Sequence, residues 1–221
     1  QTALIETYER LVAPLARRVV GRIGAPLVRA PAPSGESPLG QVIADAQLAA
    51  TREFGAQVAL MNPGGIRADL GTRGAGAGDD GQVRYEDLFA VQPFYNNLVT
   101  MTLTGAQLLQ VLEQQWLNQP TAAGRVLSVS QGFAYTWDAS KPPGERIVRG
   151  SLRLGGAPVA ADARVRVTVN GFLAAGGDNF TVLRQGTERR TGMMDIDAFE
   201  AHVKARPGLV PGALDRITRL H

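Results

Sequence analysis

The chain of 221 residues is long enough for one large domain or two small ones, and its 44% hydrophobic and 19% charged residues exclude a wholly disordered polypeptide. With no cysteine there are no disulfides, thiolate metal sites or Cys nucleophiles. The net charge of +3 is small and the arginines are scattered, so no nucleic-acid footprint is present, and no apolar run approaches the roughly 18 residues of a membrane span.

Leu4, Ile5, Tyr8, Leu11, Val12, Leu15 and Val19 recur at helical spacing, with a kink or break expected near Ala13 because Pro14 interrupts the pattern. The start QTALIETYER lacks signal-peptide shape. Residues 19–29 read as extended. APAPSGES (30–37) is a loop ending in a good N-cap, Ser37, with Pro38 in the first helical position. The helix is expected from about Pro38 to Phe54, burying Leu39, Val42, Ile43, Ala46 and Ala50 and stopped by Gly55. QVALM (57–61) reads as a short strand running straight into Asn62-Pro63-Gly64-Gly65-Ile66-Arg67. The two glycines expose backbone N–H groups, and the Arg67 guanidinium suits a planar or anionic partner. An ordinary turn with a surface arginine fits the same residues. GTRGAGAGDDGQ (71–82) reads as a surface loop and lacks the GK[ST] ending of a phosphate-binding loop.

Tyr85 to Ala90 suggests a helical turn, Asn97 to Leu103 a strand, and Thr104 the cap of a helix from Gly105 to about Asn118. Leu108, Leu109, Leu112 and Trp116 form that helix's apolar face, with Trp116 read as core. Strands are expected near 126–130, 133–137, 146–154 and 163–170, with a PPG turn at 142–144. Alternation of Val165, Val167 and Val169 leads into NGFLAAGGDNFTVL (170–183), read as a reversal at Gly176-Gly177. Asp178 then stands near Phe172, and a ring face beside a fixed acceptor suits a flat heterocycle with polar edges. A turn aspartate among core aromatics accounts for the pattern as well. Phe180 is read as core, on a strand after the turn. A last helix is expected over about Asp195 to Ala205, and residues 213–220 close a sheet edge. The fold class is α+β: one domain with mixed sheets and packed helices, and no internal repeat. The two histidines, His202 and His221, fit no HxH or HExxH pattern, and there is no GxSxG elbow. The residues offer a binding surface and no catalytic constellation.

MNPGGIRADL (61–70), LFAVQPFYNNLVTMTLTGAQL (88–108) and VNGFLAAGGDNFTVL (169–183) together resemble the C-terminal domain of the 5′-nucleotidase family. SPLGQVIADAQLAAT (37–51) is similar to the start of a family helix, and YERLVAPLARRVVGRI (8–23) to the connector helix that follows the family's catalytic domain. The resemblance implies residues 1–24 as connector helix and 25–221 as substrate-binding domain. It implies a preceding metallophosphoesterase domain in cis, holding two divalent metal ions, that hydrolyses nucleotides and related phosphoesters. This stretch alone would hold no cofactor, hydrolyse nothing, and bind nucleoside or nucleotide. By motif match the base stacks between Phe94 and Phe172, Asp178 and Arg67 take the ribose, and Asn62 reaches the base. Asn96 plays a similar part, Gly64 and Gly65 line the turn, and Gly132 lets the backbone approach the ligand. Family habit implies export. Relatives carry extra arginines just before the helix at 38; here that segment has none, and Arg29 is the nearest substitute. Two alternatives stay open: a contact module with a vestigial pocket, and a sibling specificity for cyclic nucleotides, nucleotide-sugars or sulfur compounds.

Overall fold

The computed structural model describes residues 14–71 and 81–221. Residues 1–13 of the expected lead-in and 72–80 of the glycine-rich loop lie outside the described residues. Residues 14–16 are helical, and the chain then enters β1 (Val19–Arg22), paired antiparallel with β3 (Gln82–Arg84). The expected connector helix is therefore corrected at its end: β-branched Val19 and Val20 are strand, and Val20 is buried.

Helix α1 (Pro38–Ala50) starts where its cap predicts, with Ser37 Oγ accepting the Gly40 N–H at 3.1 Å. Its α-helical part stops at Ala50, and a 3-10 turn carries the chain from Arg52 to Phe54, ending at Gly55 with φ 77°. The reason lies at Thr51, whose hydroxyl donates back to the Gln47 carbonyl at 2.8 Å. The same hydroxyl lies 2.7 Å from that of Thr168, which lies 2.8 Å from that of Thr100. All three threonines are fully buried.

The central sheet has the order β10 (Thr187–Met194), β4 (Asn97–Thr104), β9 (Arg164–Asn170), β2 (Val58–Met61), β5 (Ser128–Val129). The β9–β2 pair is parallel and the other pairs are antiparallel. Strand β10 escapes the sequence pattern because TERRTGMM does not alternate; it is an exposed edge paired with β4. A second sheet has the order β11 (Ile217–Leu220), β6 (Phe133–Asp138), β7 (Arg153–Leu154), β8 (Ala157–Pro158), with β11 on the expected edge.

Each face of the central sheet has its own core. On one, Val58, Leu60, Val165, Val167 and Val169 pack with α3 (Gly105–Glu113) and with Tyr135 and Trp137 of the second sheet. Trp116 follows the end of α3 and joins this core as expected. On the other, Met61 packs with Leu39 and Ile43 of α1, Leu88 of α2 (Tyr85–Val91), and Ile196 and Phe199 of α5 (Asp195–Lys204). Burial of each such side chain contributes about 1.5–3 kcal/mol, so both faces hold the sheet firmly.

Candidate functional site

The strand order decides which residues meet. Parallel β2 and β9 end side by side, at Asn62 and Asn170, and antiparallel β4 starts there, with Leu98 opposite Asn170. Strand β5 runs antiparallel to β2, with Ser128 opposite Met61, so the residues just before it arrive at the same end. The segments leaving or entering this end enclose a cleft of about 400 Å³ lined by Asn62, Gly64, Gly65, Arg67, Phe94, Asn96, Phe172 and Asp178. Two further residues line it that the sequence does not mark, Arg125 and Asn170.

Gly132 is not among them. It lies in the turn after β5, where its N-terminal neighbour Gln131 donates its backbone N–H to Asp45 Oδ1 at 2.6 Å. Because β5 runs back along β2, this turn falls at the opposite end of the sheet, and a contact to a ligand among the other residues is corrected on that ground.

The stretch after β9 also departs from expectation. Residues 170–185 form helical turns and not a β-reversal: α4 (Gly171–Ala174), then 3-10 turns Gly177–Asn179 and Thr181–Gln185. Asn170 caps α4, its Oδ1 accepting the Leu173 N–H at 2.9 Å. Phe180 is fully buried, as expected for core, but stands at the junction of the two 3-10 turns and not on a strand. The Phe172 ring rests against Gly177, where a Cβ would lie 2.5 Å from it and would push the half-exposed ring aside. Asp178 and Asn179 follow with φ of 54° and 66°, left-handed values that cost strain in non-glycine residues. Gln119 donates to the Asp178 carbonyl at 2.9 Å, and the Asn179 amide donates to the Asn118 carbonyl at 2.7 Å, so the conformation is held from the loop after α3.

A relay of amides fixes the Asp178 carboxylate. Asn170 Nδ2 donates to Asn62 Oδ1 at 2.9 Å, and Asn62 Nδ2 donates to Asp178 Oδ2 at 2.8 Å. Asn62 is thus engaged at both ends of its amide. On the other side Arg125 Nε stands 3.6 Å from Asp178 Oδ1, and Arg125 Nη1 donates to Gln119 Oε1 at 2.5 Å. Arg67 is exposed, with Nη1 donating to the Gly64 carbonyl at 3.3 Å.

The two phenylalanines, by contrast, stand open to solvent: Phe94 is 51% and Phe172 47% accessible. Between Phe94 and Asn96, Tyr95 has φ 51°. The loop is pinned to the start of α5, where the Asp195 N–H donates to the Asn96 carbonyl at 2.8 Å and Asn96 Nδ2 donates to Asp195 Oδ2 at 3.3 Å. Burial pushes the Asp195 carboxyl above its ordinary range, partly offset by the Asn96 amide. Arg29 does not reach this cleft; its guanidinium donates to the Ile66 carbonyl at 3.4 Å and lines a different cavity. Among the described residues no group of three or more His, Cys, Asp or Glu is placed to hold a metal ion. No helix among them is long and apolar enough to cross a membrane.

The family described as "5'-nucleotidase, C-terminal domain" matches residues 19–185. The trifunctional nucleotide phosphoesterase protein YfkN of Bacillus subtilis is 33% identical over 174 residues, covering 76% of this chain and 11% of the relative. Among solved structures, a 5′-nucleotidase precursor from Thermus thermophilus superposes with a TM-score of 0.80 at 33% identity, over all of this chain and 43% of that one. The NAD nucleotidase of Haemophilus influenzae shares the fold, with a TM-score of 0.72 at 20% identity over 99% of this chain and 41% of that one. The chain therefore spans less than half the length of each of these proteins. With its whole length superposed on a 5′-nucleotidase and the motif residues gathered at one sheet end, the chain belongs to the 5′-nucleotidase C-terminal domain family.

Proposed function

We propose that this domain binds the nucleoside part of a nucleotide or related phosphoester and presents it to a metallophosphoesterase domain elsewhere in the same protein. The observation that carries the reading is convergence: Asn62, Arg67, Phe94, Asn96, Phe172 and Asp178, from three separate segments, line one cleft. The base stacks between Phe94 and Phe172, and stacking is worth roughly 1 to 3 kcal/mol per base whichever base is present. Asp178 accepts the ribose hydroxyls, with charge-assisted bonds of about 1.5–3 kcal/mol each. Arg67, anchored on the Gly64 carbonyl, takes the ribose edge as well, and Arg125 supplies the cation absent from residues 30–37. The division predicts weak choice of base and a strict need for a free ribose edge.

Hydrolysis belongs to the other domain, whose two divalent ions would polarise the phosphoryl group and activate water. By itself this chain hydrolyses nothing. Export is supported by relatives that include a cell wall protein of Listeria monocytogenes and a snake venom 5′-nucleotidase.

Calorimetric titration with adenosine and AMP tests the reading. Micromolar to millimolar binding is expected, weakened at least about tenfold by Phe172→Ala or Asp178→Ala. Similar affinity for the two ligands places the phosphate outside this domain. Absence of heat with any nucleoside, nucleotide or nucleotide-sugar sinks the assignment.

A further inference from the structure

A second cleft, of about 590 Å³, lies behind the Pro63–Gly65 turn, with Pro63 and Ile66 on its wall while Gly64 and Gly65 face the nucleoside cleft. Its opposite wall is a ladder of four side chains. The Trp116 and Trp137 rings lie 4.7 Å apart, with the Arg146 guanidinium 5.3 Å over Trp116 and that of Arg219 5.3 Å over Trp137. Arg29 stands at the rim beside Ile66. No aspartate or glutamate lines this cleft, and none of the three arginines makes an ion pair among the described residues.

Each guanidinium keeps donors in hand. Arg146 uses Nε on the Lys141 carbonyl at 3.0 Å, and Arg219 uses Nε and Nη1 on the His221 and Pro33 carbonyls at 3.2 and 3.4 Å. Arg146 makes no hydrogen bond through its Nη groups among the described residues, nor Arg219 through Nη2. A cation–π contact with an indole face restrains each side chain before any ligand arrives. Between them the surface is apolar, made by Pro31, Pro33, Ala122 and Val126. The Trp116 indole N–H is buried without a hydrogen-bond partner, under Gly124, where a Cβ would lie 3.0 Å from Nε1. Nothing in the nucleoside reading uses these groups.

We propose that this cleft is a second binding site, for a phosphate monoester with a compact apolar body. The free edge of an arginine at either end of the ladder suits a doubly charged, multi-acceptor head, and the proline and valine surface suits the body. Three cations with no ion pair among the described residues disfavour a neutral or cationic occupant.

The chain's two tryptophans both line this cleft, so tryptophan emission reports it and not the nucleoside site. Phenyl phosphate, inorganic phosphate and phenol are titrated against the 221-residue chain. Phenyl phosphate should change the emission saturably, with the other two binding at least about tenfold more weakly because each lacks one half of the recognition. Ala123→Glu puts a carboxylate on an exposed lining residue without touching the ladder, and should weaken phenyl phosphate at least about tenfold. Phe172→Ala should leave it unchanged. The proposal is overturned by any of four results: no saturable change, equal binding of inorganic phosphate or phenol, indifference to Ala123→Glu, or loss in Phe172→Ala. The nucleoside reading stands or falls separately, on adenosine.

Discussion

At Asp178 both the backbone and the side chain are constrained from outside the residue. A left-handed φ of 54° is held by Gln119 on the carbonyl, while Asn62 and Arg125 approach the two carboxylate oxygens. The acceptor is therefore aimed before a ligand arrives, which lowers the ordering cost of binding. Arg125 belongs to this apparatus without being visible in the sequence, since nothing marks GRVL as a site; it meets Asp178 only through the β2–β5 pairing. Its ion pair is partly exposed and modest in strength. Arg125→Gln is expected to weaken adenosine binding by about threefold to tenfold, with Arg125→Lys recovering part of it, as read by calorimetry. An unchanged affinity in Arg125→Gln would remove it from the site.

Helix α5 shows how an element with a legible pattern acquires properties that its sequence hides. Its span is readable from Ile196, Phe199 and Val203, and the same spacing puts His202 on the helix. The structure buries that side chain, with Arg206 Nη1 3.1 Å from Nδ1. Burial first, then the Arg206 charge, hold the imidazole down to about 4, with Asp45 opposing. A base whose folded value lies below its usual value of about 6.5 stabilises the fold fully above that pH and progressively less down to about 4. Allowing for solvent screening, the loss is on the order of 2 kcal/mol. Two residues earlier, Glu200 is lowered to about 2, first by its hydrogen bond with Arg18, so its contribution is lost only as pH falls from about 4.5 toward 2. Urea midpoints should therefore fall between neutral pH and about pH 4, and His202→Gln should flatten that limb. Helices α1, α3 and α5 and strands β4 and β9 are legible because their periods are strong, and β2 as a short apolar run. Strand β10 and the turns after Asn170 are not, since the one lacks alternation and the others are set by side-chain bonds from distant segments.

Across the whole molecule, the central sheet is the common wall of both cores, and the site is built on the ends of its strands. Motif positions carry every expected site residue except Gly132 to one cleft; Gly132 fails because sequence position alone does not say at which end of a sheet a turn falls. A shared wall also implies a shared transition. Both tryptophans belong to one core, whereas far-ultraviolet circular dichroism is weighted toward α1, α2 and α5, packed on the other, with α3 the smaller share, so the two urea curves should coincide. Separated midpoints would show that the cores melt independently.

The buried threonine chain bears on how that sheet avoids error. Val165, Val167 and Val169 present the same side chain at every second position, so the apolar face of β9 looks alike after a slip of two residues against β4. The hydroxyls do not. Thr51 gives its proton to Gln47, so Thr168 must give to Thr51 and Thr100 to Thr168, a one-way sequence satisfied with Thr100 opposite Thr168. A slip that set Thr168 opposite Leu98 would strand buried hydroxyls at about 1–3 kcal/mol apiece, whereas the opposite slip would meet the hydroxyl of Thr102. A shift of β9 in either direction would also carry Asn170 away from Asn62 and take the nucleoside cleft apart. Far from any ligand, these hydroxyls guard one direction of the alignment on which the cleft depends.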